Sequence, residues 1–85
     1  ETISLQVFPN PAADYINLQV TLAQPAQSTI TIVDMFGKTI ATIPTLTTTS
    51  AQTIKWNIPA NLMAGNYFVI VRAGQHKTVK KIVIV

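Results

Sequence analysis

Ten residues limit this chain more than anything else in it: "DYINLQVTLA", residues 14–23, puts Ile16, Leu18, Val20 and Leu22 on one side of an extended backbone and Tyr15, Asn17, Gln19 and Thr21 on the other. A helix would scatter that pattern around its circumference, whereas a strand sends alternate side chains to opposite faces. One face of a sheet must therefore meet a core and the other must meet water. The remaining apolar runs are also short and rich in β-branched residues, and each is stopped by proline, glycine or a polar turn. "ISLQVF" (3–8) stops at Pro9, which has no N–H for a ladder; "STITIVDM" (28–35) and "KTIATI" (38–43) flank "MFGK" as one hairpin. "QTIKWNI" (52–58) carries Ile54, Trp56 and Ile58 on one face and ends before Pro59, while "GNYFVIVRA" (65–73) and "HKTVKKIVIV" (76–85) form a second hairpin across Gly74-Gln75. Residues 45–50, nearly all threonine, read as a polar loop, and only "PANLMAG" (59–65) offers even a single helical turn.

Seven short strands separated by turn signals predict one all-β domain over residues 1–85, a seven-stranded antiparallel immunoglobulin-like β-sandwich, with a small closed barrel as the alternative. Hydrophobic residues make up 48% and charged residues only 11%, so the chain is not disordered, and no apolar run reaches the roughly 18 residues of a membrane helix. A start at Glu1, with no initiator methionine and a strand almost at once, reads as a fragment cut from a longer polypeptide whose signal peptide lies elsewhere. With no cysteine, neither a disulfide nor a thiolate metal site is available.

Chemistry is sparse. His76 has no second histidine or cysteine in sequence reach, so no metal or other cofactor is expected. Asp14 and Asp34 sit at strand ends, where carboxylates ordinarily cap turns, and no serine lies in a nucleophile elbow; an enzyme is not expected. The acids Glu1, Asp14 and Asp34 precede the basic group Arg72, Lys77, Lys80 and Lys81. Without interleaved exposed aromatics or a recognition helix this group does not predict nucleic-acid binding; lysines on the outer face of an edge strand, where they block edge-to-edge pairing, explain it. "VFPNP" (7–11) holds two prolines around one asparagine, and Pro9 and Pro11 force Phe8 and Asn10 towards extended geometry, which predicts a stiff corner.

Taken in order, "VFPNP", "ITIVDMFGK", "NLMAGNYFVIV" and "KTVKKIVIV" resemble the type A C-terminal sorting domain of proteins exported by the type IX secretion system of Bacteroidota, over essentially the whole chain. The resemblance assigns the opening motif to Phe8, Pro9, Asn10 and Pro11, the central turn to Asp34 and Gly37, and the third motif to Leu62, Gly65 and Tyr67. It assigns the closing strand to Lys80, Lys81, Ile82, Val83, Ile84 and Val85. Phe8 stands where the family more often has tyrosine, and the sequence stops at Val85 without the trailing lysine or arginine. The resemblance implies a non-catalytic address label, read by an outer-membrane shuttle and translocon and commonly removed by a sortase-like peptidase. Its cargo, the N-terminal part of the same polypeptide, would pass from the periplasm to the cell surface or the medium. An accessory immunoglobulin-like module that binds carbohydrate or the cargo's catalytic domain is the alternative. Two finer expectations accompany the main one: that the edge of the terminal strand is open to a partner, and that the Pro-Asn-Pro corner serves structure more than contact.

Overall fold

The computed structural model describes residues 3–24, 26–45 and 51–85. Within them lie seven strands: β1 (Ile3–Phe8), β2 (Tyr15–Leu22), β3 (Ser28–Asp34), β4 (Thr39–Thr45), β5 (Gln52–Asn57), β6 (Gly65–Ala73) and β7 (His76–Ile84). All ladders are antiparallel, and two sheets form, one in the order β1-β2-β5 and the other β4-β3-β6-β7. The two sheets are separate, which decides for the sandwich over the barrel. In the seven-stranded constant-type immunoglobulin arrangement the fourth strand lies beside the fifth. Here β4 instead extends the hairpin it makes with β3.

The alternation in β2 behaves as its sequence requires: Ile16, Leu18, Val20 and Leu22 are buried, and the intervening residues are half-buried or exposed. Leu5 joins them from β1, while Ile54 and Trp56 of β5 pack against the same core partly buried. From the opposing sheet come Ile30 and Ile32, then Tyr67, Val69, Val71 and Ala73, then Ile82 and Ile84. Tyr67 and Phe68 take opposite faces, Tyr67 inward and buried. On β4, Ile40 and Ala41 both reach the core although they are adjacent. A register shift explains this, since Ile32 pairs with Ala41 but Val33 pairs with Thr39, which leaves Ile40 as an extra residue in a bulge.

Strand ends differ from the sequence reading in small ways. β4 runs on through Pro44 to Thr45, which a proline permits because β4 is an edge strand. Of the polar loop expected over 45–50, residues 46–50 lie outside the described residues, as does Glu1. β5 stops at Asn57, and the Ile58 N–H leaves the ladder to donate to the Asp14 carbonyl at 2.8 Å, tying the two connections at that end of the sheet together. In place of a helical turn, the 59–65 stretch forms a single reversal closed by Leu62 N–H donating to the Pro59 carbonyl at 3.0 Å.

Candidate functional site

The registers place the four motif stretches at one end of the sandwich. Phe8, the last residue of β1, pairs with Asn17, and Tyr15, the first of β2, pairs with Asn57, the last of β5. In the other sheet Asp34 at the end of β3 pairs with Tyr67, and Gly65 at the start of β6 pairs with Ile84 near the end of β7. A parallel bridge between Ala12 and Ile84 joins the two sheets at this same end. Ile3 lies at the opposite end, where it pairs with Leu22.

The Pro-Asn-Pro corner does more than redirect the chain. Neither proline nitrogen can donate, so the asparagine side chain stands in for a peptide group: its Oδ1 accepts from the Val83 N–H at 3.0 Å and its Nδ2 donates to the Lys81 carbonyl at 3.3 Å. Ala12 continues the pattern through its backbone, donating to the Val83 carbonyl at 2.8 Å and accepting from the Val85 N–H at 2.9 Å. Ala12 is itself buried against the core. Both the Phe8–Pro9 and the Asn10–Pro11 peptide bonds are cis. Residues 10–12 thus act as a clasp along the outer edge of β7. This corrects the expectation of an open terminal edge: from Lys81 to Val85 that edge is already occupied by the chain's own corner.

Below the clasp the character of β7 changes. Ile82 and Ile84 point inward and are buried; by alternation His76, Thr78 and Lys80 share that inward register, and Lys80 pairs directly with the buried Val69. Lys80 is nevertheless exposed, as are Lys77 and Lys81 on the outer face. An inward-register lysine on an edge strand is a known device against edge-to-edge pairing. So Lys80 lies in the core register and not, as the sequence reading had it, on the outer face.

The central turn is built by Asp34. Its Oδ1 accepts from the N–H groups of Phe36 at 2.9 Å and Lys38 at 2.8 Å, while its backbone exchanges bonds with Gly37 N–H and Lys38 C=O at 3.0 Å each. Gly37 closes the reversal at φ 84°, a left-handed value that disfavours any residue with a Cβ. With the backbone so held, Met35 and Phe36 are presented to solvent, 61% and 88% exposed. Facing them is the segment before β6. Leu62 packs partly buried against the core, the Tyr67 hydroxyl donates to the Met63 carbonyl at 2.7 Å, and the Met63 side chain is left 79% exposed. Between the two segments lies a cleft of about 190 Å³, lined by Asp34, Met35, Phe36, Met63, Asn66 and Tyr67 among others.

The structure therefore gathers Pro9, Asn10, Pro11, Asp34, Gly37, Leu62, Gly65, Tyr67 and the Ile82–Val85 tail at one pole, with Lys81 at the clasp's lower limit and Lys80 just beyond it. Ala12, Met35, Phe36 and Met63 belong to this pole and were not singled out from sequence. The signal for Met35 and Phe36 was there: two large apolar residues in a glycine turn, where turn chemistry asks for polar ones. Among the described residues no three His, Cys, Asp or Glu side chains cluster as a metal site would need. The exposed aromatics of the β1-β2-β5 sheet, Phe8 and Tyr15, are a poor platform for a sugar ring, because the Lys55 ammonium sits 4.6 Å from the Tyr15 ring centroid and occupies one of its faces.

Comparison with known proteins places this architecture. The family model described as "Secretion system C-terminal sorting domain" matches residues 6–85. Comparison of the sequence with curated proteins finds no match. Among solved structures, dimeric latent PorU from Porphyromonas gingivalis superposes with a TM-score of 0.73 at 19% identity, covering 98% of this chain and 9% of that one. The sulfur carrier protein SoxY from Chlorobium limicola f thiosulfatophilum gives a TM-score of 0.51 at 18% identity, covering 98% of this chain and 78% of its own. At such identities these likenesses speak to the fold, and the chain spans only a small part of PorU's length.

Proposed function

Because this chain belongs to the family of secretion system C-terminal sorting domains, we propose that it is the address label of a type IX cargo protein and that the pole carrying the clasp and the cleft is the surface the export machinery reads. The observation that supports this reading is the convergence of four separated stretches of sequence, residues 9–12, 34–37, 62–67 and 81–85, at one end of the sandwich, opposite Ile3. A cargo domain joined ahead of β1 would leave from the far end, so the reading surface stays clear of whatever it is attached to. Folding alone does not require Met35, Phe36 and Met63 to be apolar, since their side chains lie largely in water. An exposed apolar group of this kind marks a contact surface, and methionine adapts to irregular partners.

In this reading an outer-membrane shuttle docks on the folded pole and passes the cargo from the periplasm through the translocon to the surface or medium. A sortase-like peptidase then cuts in the linker ahead of β1. The family is non-catalytic in general, and in this reading the domain's part in export is binding. The test fuses the domain to a periplasm-directed fluorescent reporter in a type IX-competent cell, with a translocon-deficient strain as control. Machinery-dependent surface delivery by the wild-type domain is expected. Phe36→Ser with Met63→Ser should abolish that delivery while the melting temperature of the isolated domain falls by no more than about 4–8 °C, as each substitution at an exposed position usually changes stability by less than about 0.5 kcal/mol. Undiminished delivery by this variant would place recognition elsewhere on the domain.

A further inference from the structure

We propose that the uncovered part of the β7 edge, Lys77–Lys81, takes up an acidic extended segment of a partner protein as an added strand; this rests on the sorting reading and names the chemistry of one contact with the export machinery. The bonds to the clasp show that odd-numbered residues of β7 direct their backbone groups outward, while the even-numbered ones face β6. The clasp reaches down only as far as the Lys81 carbonyl. Below it, β7 ends its sheet, and no described residue bonds the N–H or C=O of Lys77 or Val79 or the N–H of Lys81. Those groups form a short template for strand addition.

Side chains decide which strand fits. On the outer face an added strand would run beside Lys77, Val79 and Lys81, with Arg72 paired behind Lys77; on the inner register it would meet Thr78 and Lys80. A second copy of this chain would set lysines against lysines, and like charges directly opposite are destabilising. A strand with carboxylates at alternate positions neutralises the same lysines that repel other edges, so one row of charge excludes wrong partners and selects the right one. The chain does not supply such a partner from its described residues: the Asp34 carboxylate is held in its own turn, and Asp14 lies at the clasped pole.

The experiment titrates the ¹⁵N-labelled domain with a capped seven-residue peptide of alternating glutamate and valine, and with its lysine–valine counterpart. Amide shifts and slowed exchange are expected at Lys77, Val79 and Lys81, with binding of the basic peptide at least about tenfold weaker. Val79→Pro removes an outward donor without touching the ladder to β6, a position where edge strands tolerate proline, and should abolish binding. Lys77→Glu with Lys81→Glu, both at the surface, should reverse the preference between the peptides. Shifts centred on the edges of β4 or β5, or a charge-reversed variant that still prefers the acidic peptide, would overturn the inference. In cells, normal export of the Val79→Pro fusion beside an exporting wild type would sink this edge contact and leave the sorting reading standing. Failure of the wild type to export would sink the sorting reading, while the peptide titration still decides the edge.

Discussion

Replacing Asn10 by alanine should release the asparagine part of the clasp from β7, leaving the two backbone bonds of Ala12 in place and the core untouched. The side chain makes two bonds to β7, one of 3.0 Å from the Val83 N–H and one of 3.3 Å to the Lys81 carbonyl. A protein hydrogen bond contributes about 1 kcal/mol net, with a spread of about half that. Water can reach this edge and replace part of what is lost, so the expected cost is about 1–1.5 kcal/mol rather than the sum of two unsatisfied buried groups. For a domain of this size each kcal/mol moves the melting temperature by roughly 4–8 °C, which puts Asn10→Ala about 4–12 °C below the wild type. Asn10→Asp keeps an acceptor for Val83 but turns its second carboxylate oxygen, also an acceptor, towards the Lys81 carbonyl, so it should recover little of the loss. Circular dichroism melts measure the temperature, and amide hydrogen exchange reads the site itself: Val83 should lose protection while residues of the β3-β6 ladder keep theirs. A melting temperature within about 1 °C of wild type, together with unchanged exchange at Val83, would refute the claim that the asparagine side chain substitutes for a strand.

Other perturbations separate core, turn and edge. Ile82→Ala empties a fully buried position where β7 meets the opposing sheet and should cost about 2–5 kcal/mol in urea denaturation, enough to leave the domain marginal. Asp34→Ala removes the acceptor of two turn N–H groups, with an expected loss of about 1–2 kcal/mol by the same assay. Gly37→Val should cost about as much for a different reason: nothing lies within 4 Å of its would-be Cβ, so the penalty is the left-handed backbone alone, and Gly37→Asn should be milder. Lys80→Ile with Lys81→Ile removes two of the three lysines on the free part of β7 and should raise association, as read by light scattering against concentration.

Much of this protein was already legible in its sequence. Period-two alternation in β2 and β-branched composition in β6 and β7 selected strands, and the glycine and proline stops divided them into two hairpins and a sandwich. Those are local properties: which face of a strand is apolar and where a backbone can reverse depend only on neighbours along the chain. The motif order likewise identified the family, because it too is written in one dimension. What sequence could not decide was which groups meet across it. Asn10 lies 73 residues from Val83, and nothing in either stretch says that one side-chain amide will complete the other's ladder. The bulge at Ile40 and the strand pairing through Pro44 depend on what the partner strand presents. So does the exposure of Phe36, because a turn's composition does not reveal which way the reversal aims its side chains. The same limit applied to the last strand, whose "KKIVIV" looked like one continuous free edge. Only the tertiary structure split it, by laying the Pro-Asn-Pro corner over the apolar half and leaving the lysines to guard the rest. Hydrogen-bond satisfaction at a sheet edge is a property of what comes to lie beside it in space, and the chain alone does not specify that neighbour until it has folded.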